Sequence, residues 1–124
     1  LDLARPGVAA QAVGTATGAL ELAVTYAGRR KQFGQPIASF QMIQAMLADM
    51  AQQTEAARWL VYACAAKADA GAKNVTKIAA MAKCFATDVA VKVATDAVQV
   101  FGGYGFMEDY PIAKYYRDAK ILQI

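Results

Sequence analysis

The sequence predicts an all-α fold, an antiparallel four-helix bundle running up-down-up-down with a short fourth helix. Three observations predict it. Alanine, the strongest helix former, supplies 29 of 124 residues, and proline only 3. Apolar residues recur at three-to-four spacing along most of the chain, and no alternating run of useful length suggests a strand. Gly and Pro cluster around Gly34–Pro36, Gly71 and residues 102–111, which divides the chain into three long helices and a short one.

The first helix begins near Pro6, tolerated in a first turn because its missing N–H would be unpaired there, with Asp2 upstream to help cap it. Val8, Val13, Leu20, Val24 and Ala27 form an uneven apolar face. Gly14 and Gly18 are a small-residue pair that would let a neighbouring helix approach closely. Gly34 and Pro36 stop the segment. The second helix is the clearest. Phe40, Ile43, Leu47, Met50, Thr54, Ala57, Val61, Cys64 and Ala68 repeat at the spacing of a core-facing seam, with Ser39 expected as N-cap and Gly71 as C-cap. The third begins near Asn74 as N-cap. It keeps Ile78, Ala82, Phe85, Val89, Val93, Ala97 and Val100 on one face and ends at Gly102-Gly103. A tight loop, residues 104–110, leads to Pro111 and a fourth helix from Ile112 to Ile124 that meets no stop signal.

Composition narrows the function. Hydrophobic residues at 57% and charged ones at 19% exclude a disordered chain. The absence of histidine removes imidazole bases, serine and cysteine triads, and nearly all zinc and di-iron bundle sites. Cys64 and Cys84 stand in no CxxC spacing amid small apolar residues, and are expected as buried free thiols in a reducing compartment. A net charge of +3, with no cationic run longer than Arg29-Arg30-Lys31, argues against nucleic acid as a partner. No apolar stretch reaches the roughly eighteen residues of a membrane span. The start carries neither an initiator Met nor a signal-peptide pattern, so the chain reads as part of a longer, non-secreted protein.

Three clusters stand out. Residues 29–36, Arg-Arg-Lys-Gln-Phe-Gly-Gln-Pro, put cations at a helix C-terminus. They complement the helix dipole, or form an anion clamp in which a guanidinium grips phosphate and an aromatic packs on a flat ring. Residues 99–106, Gln-Val-Phe-Gly-Gly-Tyr-Gly-Phe, hold more glycine than a C-cap requires, and would let backbone approach a ligand beside the Gln99 amide. They are not a P-loop, because they end a helix and no GK[ST] follows. In residues 110–120, Arg117 and Asp118 are expected to form a structural ion pair or to tie the helix to its neighbours, rather than to catalyse.

Taken together, Arg30-Lys31-Gln32-Phe33-Gly34, Phe40-Gln41, Leu47-Ala48-Asp49-Met50, the block from Asp96 to Phe106 and Tyr116-Arg117-Asp118-Ala119-Lys120-Ile121 resemble the C-terminal helical domain of the acyl-CoA dehydrogenase family. The opening Asp2-Leu3-Ala4-Arg5-Pro6-Gly7 resembles the start of the same domain, so the resemblance covers the whole chain, 1–124, as one domain. It implies a FAD flavoprotein whose N-terminal helical and middle β-domains lie elsewhere, assembled as a homo-oligomer, dimer or tetramer. By motif, Arg30 would contact the FAD pyrophosphate of a neighbouring subunit. Gln32 and Phe33 would line the same cofactor, Gln41 would add a polar contact, and Gln99, Gly102 and Gly103 would hold the adenosine part. Asp2 and Arg5 would border the acyl-CoA substrate. The implied reaction is α,β-dehydrogenation of an acyl-CoA thioester, with electrons passing to an electron-transfer flavoprotein, in a bacterial cytoplasm or a mitochondrial matrix.

One departure matters. The family's catalytic glutamate usually follows the fourth helix in a Tyr-Glu-Gly-Thr motif, which would fall just past Ile124. Some members carry it directly before the first arginine, where this chain has Ala4. Glu21, Glu55 and Glu108, the only glutamates, match neither place. No catalytic residue is therefore expected within the chain, which alone should be inactive. Acyl-CoA oxidases, related flavin monooxygenases and a non-catalytic helical assembly module are the alternative readings.

Overall fold

The computed structural model describes residues 4–124. Asp2, expected near the substrate and as a cap, lies outside them. Helix α1 (Ala4–Arg29) is followed by a two-residue hairpin, β1 (Lys31–Gln32) and β2 (Gln35–Pro36), and a 3-10 turn (Ile37–Ser39). Then come α2 (Gln41–Asp69), α3 (Thr76–Phe101), a second 3-10 turn (Gly102–Phe106) and α4 (Ile112–Gln123).

The four helices alternate in direction, as the sequence predicts. Tyr26 near the end of α1 stacks on Phe101 at the end of α3, so these two run parallel. Arg58 of α2 donates to Thr17 of α1, and Lys92 of α3 to Asp49 of α2, so α2 runs against both. The end of α4 meets the first half of α3 through Gln123 and Asp88. The most extensive packing is between α1 and α3, with α2 and α4 flanking them.

Alanine determines that arrangement. The buried face of α1 is Ala9, Ala12, Val13, Ala16, Ala19, Ala23 and Ala27. Of the expected face, Val13 and Ala27 are buried, but Val24 is exposed, and Val8 and Leu20 are only half-buried. Facing it, α3 buries Ala79, Ala82, Ala86, Ala90, Ala94 and Ala97. Side chains this short let two helix axes approach the lower end of the usual 8–10 Å range. The second seam is as read at its centre, where Met50, Thr54, Ala57, Val61 and Cys64 are buried, but Ala68 is exposed. The buried hydroxyls of Thr54 and Thr87 donate to the carbonyls of Met50 and Lys83 in the preceding turn. Gly18 admits α4, since a Cβ there would come 2.6 Å from the Tyr115 ring, whereas one at Gly14 would meet nothing within 4 Å.

Several local expectations need correction. Ser39 does not cap α2. Its hydroxyl faces Gln35 Oε1 and the Pro36 carbonyl at 2.7 and 2.6 Å, and extended Phe40 precedes the helix. Asn74 does not cap α3, which opens after Val75 without a side-chain cap. Gly71 does close α2. It sits at φ 74°, and the Gly71 and Ala72 N–H groups return to the Ala68 and Lys67 carbonyls, a Schellman ending. Cys64 is buried, but Cys84 is exposed, as is Phe85 beside it. Small neighbours misled the reading of Cys84, because this chain carries alanine on its outer faces too. Arg117 and Asp118 are both exposed and enter none of the ion pairs among the described residues.

Candidate functional site

The C-terminal ends of α1 and α3 open a cleft of about 550 Å³, lined by Tyr26, Arg30, Gln32, Ile37, Val100, Phe101, Gly102, Gly103, Tyr104 and Met107. Its first wall is the hairpin. Arg30 N–H donates to the Tyr26 carbonyl at 2.8 Å, and its own carbonyl accepts Ile37 N–H at 2.8 Å, so its backbone is fixed from both sides. Lys31 pairs with Pro36 and Gln32 with Gln35. Phe33 and Gly34 between them both have positive φ, 56° and 80°, the signature of a type I′ turn. A bulky residue there costs on the order of 1 kcal/mol or more. Even so, Phe33 is 89% exposed and makes only an edge contact with Phe40, with ring centroids 6.1 Å apart.

The second wall is the glycine turn. Gly102 adopts φ 65° and ψ −141°, a region that disfavours side chains, and its N–H donates to the Gln99 carbonyl. Gly105 is required by packing, since a Cβ would lie 2.6 Å from the Val98 carbonyl oxygen. Gly103 answers to neither constraint. Its φ is not positive, and a Cβ would meet nothing within 4 Å. Its bare backbone faces the cleft.

The floor is aromatic. Tyr26 stacks on Phe101 at 4.1 Å, and Tyr110 closes edge-on against both. The Arg30 guanidinium carbon stands 5.4 Å over the Tyr104 ring, which orients the cation without neutralising it. Burial pushes the Tyr26 hydroxyl above its ordinary pKa, against the lowering influence of Arg30. The hydroxyl is therefore protonated at neutral pH and able to donate. The site thus offers one fixed cation, one amide, open backbone and flat rings, which suits a ligand carrying both an anionic group and a planar one.

Of the residues predicted from sequence, the structure brings Arg30, Gln32, Gly102 and Gly103 into this cleft. Phe33 stands at the hairpin tip, Gln41 in the first turn of α2 and Gln99 in the last turn of α3, all exposed and outside the lining. Arg5 lies in the first turn of α1, about 37 Å of helix away at 1.5 Å per residue. Sequence reading missed Tyr26, Ile37 and Met107. A signal for Tyr26 existed, because it sits one helical turn before Arg30 on the same face. Among the described residues, no cluster of His, Cys, Asp or Glu is arranged to hold a metal, and no helix is long and apolar enough to cross a membrane.

Comparison with known proteins gives this cleft a context. The family model described as acyl-CoA dehydrogenase, C-terminal domain, matches residues 1–124. A probable acyl-CoA dehydrogenase of Mycobacterium leprae is 56% identical over the whole chain, which spans 32% of that protein. A short-chain-specific acyl-CoA dehydrogenase of Megasphaera elsdenii is also 56% identical, with the same coverage. Among solved structures, butyryl-CoA dehydrogenase from M. elsdenii superimposes with a TM-score of 0.97 at 56% identity, over 99% of this chain and 32% of that one. A chain in a structure of the electron transferring flavoprotein of Acidaminococcus fermentans matches with a TM-score of 0.97 at 58% identity, over 99% of this chain and 32% of that one. The chain spans about a third of the length of these relatives, and on this match it belongs to the acyl-CoA dehydrogenase family, as its C-terminal domain.

Proposed function

We propose that the chain is the C-terminal domain of a longer FAD-dependent acyl-CoA dehydrogenase, to which it contributes a FAD-binding cleft and an oligomerisation surface. The observation that carries this reading is the pairing of Arg30 with Gly103 across one cleft, a fixed guanidinium opposite glycine backbone that no contact within the chain requires.

The donor set fits FAD. Arg30 would hold the pyrophosphate, with Gln32 beside it. Gly102 and Gly103 would let backbone approach the adenosine part, assisted by Gln99 from the last turn of α3. Phe33 and Gln41 lie outside the cleft on the hairpin side, where they would meet cofactor or a neighbouring subunit. When bound, FAD supplies the hydride acceptor of an α,β-dehydrogenation. Arg5, at the far end of α1, would border the acyl-CoA, as would Asp2, which lies outside the described residues. The base is none of the chain's glutamates by this reading: Glu55 is paired with Arg58 at 2.6 Å, and Glu21 and Glu108 are exposed and do not line the cleft. As the family resemblance implies, the base would follow α4 in the whole protein, and this domain alone would be inactive.

Met42, Trp59, Tyr62, Met81 and Phe85 are exposed on α2 and α3, a surface on which a second copy would pack in the homo-oligomer that the family resemblance implies. The relationship to a chain in a structure of an electron transferring flavoprotein supports such a protein as electron acceptor. The bacterial relatives favour a bacterial cytoplasm over a mitochondrial matrix.

The test is flavin content. In the full-length protein, Arg30→Ala should lower bound FAD per subunit several-fold, in line with loss of a charge-assisted bidentate contact. Unchanged flavin absorbance overturns the assignment. Rapid reoxidation of the substrate-reduced protein by oxygen would favour an oxidase or monooxygenase on the same scaffold.

A further inference from the structure

Well away from the cleft, against the first half of α3, the last turn of α4 is held in a way that its own helix does not require. Gln123 engages three of its polar atoms. Its backbone carbonyl accepts from Lys83 Nζ at 3.1 Å, its Oε1 accepts from Lys120 Nζ at 2.6 Å, and its Nε2 donates to Asp88 Oδ1 at 3.0 Å. Two of these bonds cross from α4 to α3. The last four carbonyls of a helix lack partners within it and the end normally frays. Here a lysine of the neighbouring helix takes one of them, and its charge also complements the negative end of the dipole. Lys83 and Asp88 stand on α3, the helix with the most buried residues, so the anchor points are themselves rigid. Leu122, half-buried against the core, completes the grip.

We propose that Lys83 and Asp88 are positioning residues which, through Gln123, fix the exit of α4 and so aim the segment that follows it. This rests on the dehydrogenase reading above, in which that segment carries the catalytic glutamate. A carboxylate that removes a proton from a bound substrate must be held to a fraction of an ångström. A frayed α4 would not hold it so.

The experiment uses the full-length protein and the variants Asp88→Ala, Gln123→Ala and Asp88→Asn. The two alanine variants should lower kcat roughly tenfold while KM for acyl-CoA stays within about twofold, the pattern of a lost geometry rather than lost substrate binding. Asp88→Asn keeps an oxygen that accepts from Gln123 and should remain near the unmodified rate. Bound flavin should be equal in all, because the cleft lies at the other end of α4. Amide exchange of the last turn of α4 and the residues after it should speed up in the alanine variants, with no change in residues 102–106.

An unchanged kcat, a loss equal in Asp88→Asn and Asp88→Ala, or a loss in step with flavin overturns the proposal. Should acyl-CoA fail to bleach the flavin of the unmodified protein, the dehydrogenase reading itself falls. The exchange data then decide the positioning claim, and unaltered exchange after α4 overturns it.

Discussion

Gly102, Gly103 and Gly105 lie within one turn and tolerate a methyl group differently. At Gly105 it would press on the Val98 carbonyl at 2.6 Å and on the Phe101 Cβ at 3.0 Å, and helix backbone has little room to yield. Gly105→Ala should therefore destabilise by about 1–3 kcal/mol, read as a lower Tm of the full-length protein. Gly103→Ala meets nothing within 4 Å and should leave Tm nearly unchanged while reducing bound FAD. A variant that loses flavin only through unfolding would contradict this. The sequence displayed the three glycines but could not rank them, because that ranking depends on where Val98 points its carbonyl. Arg30 was legible for a different reason, since a guanidinium at a helix C-terminus next to a turn carries its chemistry in its residue types. Phe33 was legible as an aromatic but not as a residue at positive φ, which depends on the hairpin register.

Helices α2 and α3 are joined by a charged tie in which Lys92 Nζ lies 3.0 Å from Asp49 Oδ2 and 2.9 Å from Asp96 Oδ2. The hydrogen bond from Lys92 and its charge hold the Asp49 carboxyl below its ordinary pKa. Hydrogen bonds to Asp96 and then Asp49 raise that of Lys92. A lowered carboxyl stabilises the fold above its unfolded pKa, about 3.9, and that contribution fades as pH falls through the lower folded value. A raised lysine stabilises below about 10.4, and its contribution fades as pH climbs through the higher folded value. The tie is thus complete at neutral pH and weakens at both extremes. Lys92→Met should flatten the dependence of Tm on pH on both flanks, while Asp49→Asn should flatten the acid flank more than the alkaline one. Lys92 is exposed and the two carboxylates are only half-buried, which keeps either effect small, and added salt should reduce it. Element boundaries were readable to within a residue or two from Gly71, Gly102 and Pro111. The caps were not, because Ser39 had a nearer partner in Gln35 and Asn74 stands one residue too early.

At the scale of the molecule, small side chains fill the interior and many large ones stay outside. The core between α1 and α3 is mainly alanine, while Trp59, Tyr62, Met81 and Phe85 are exposed on α2 and α3. Periodicity located the helices. It misjudged the inner face of α1 and the outward turn of Phe85, because hydrophobic size is a poor guide where close approach matters more than bulk. Phe85→Glu and Trp59→Glu in the full-length protein should shift it towards smaller species in sedimentation, with flavin lost secondarily if a neighbouring subunit completes the cleft. Unaltered sedimentation would remove α2 and α3 from the interface. The alanine seam has a further consequence for how this sequence tolerates change. Alanine has no rotamers to lose, so assembling the seam costs no side-chain entropy, and trimming it to glycine sacrifices mainly helix propensity, about 1 kcal/mol per site. Enlarging any one position wedges apart two helices that are zipped together along their whole length. Mutational tolerance there is one-sided: the interior forgives subtraction and resists addition.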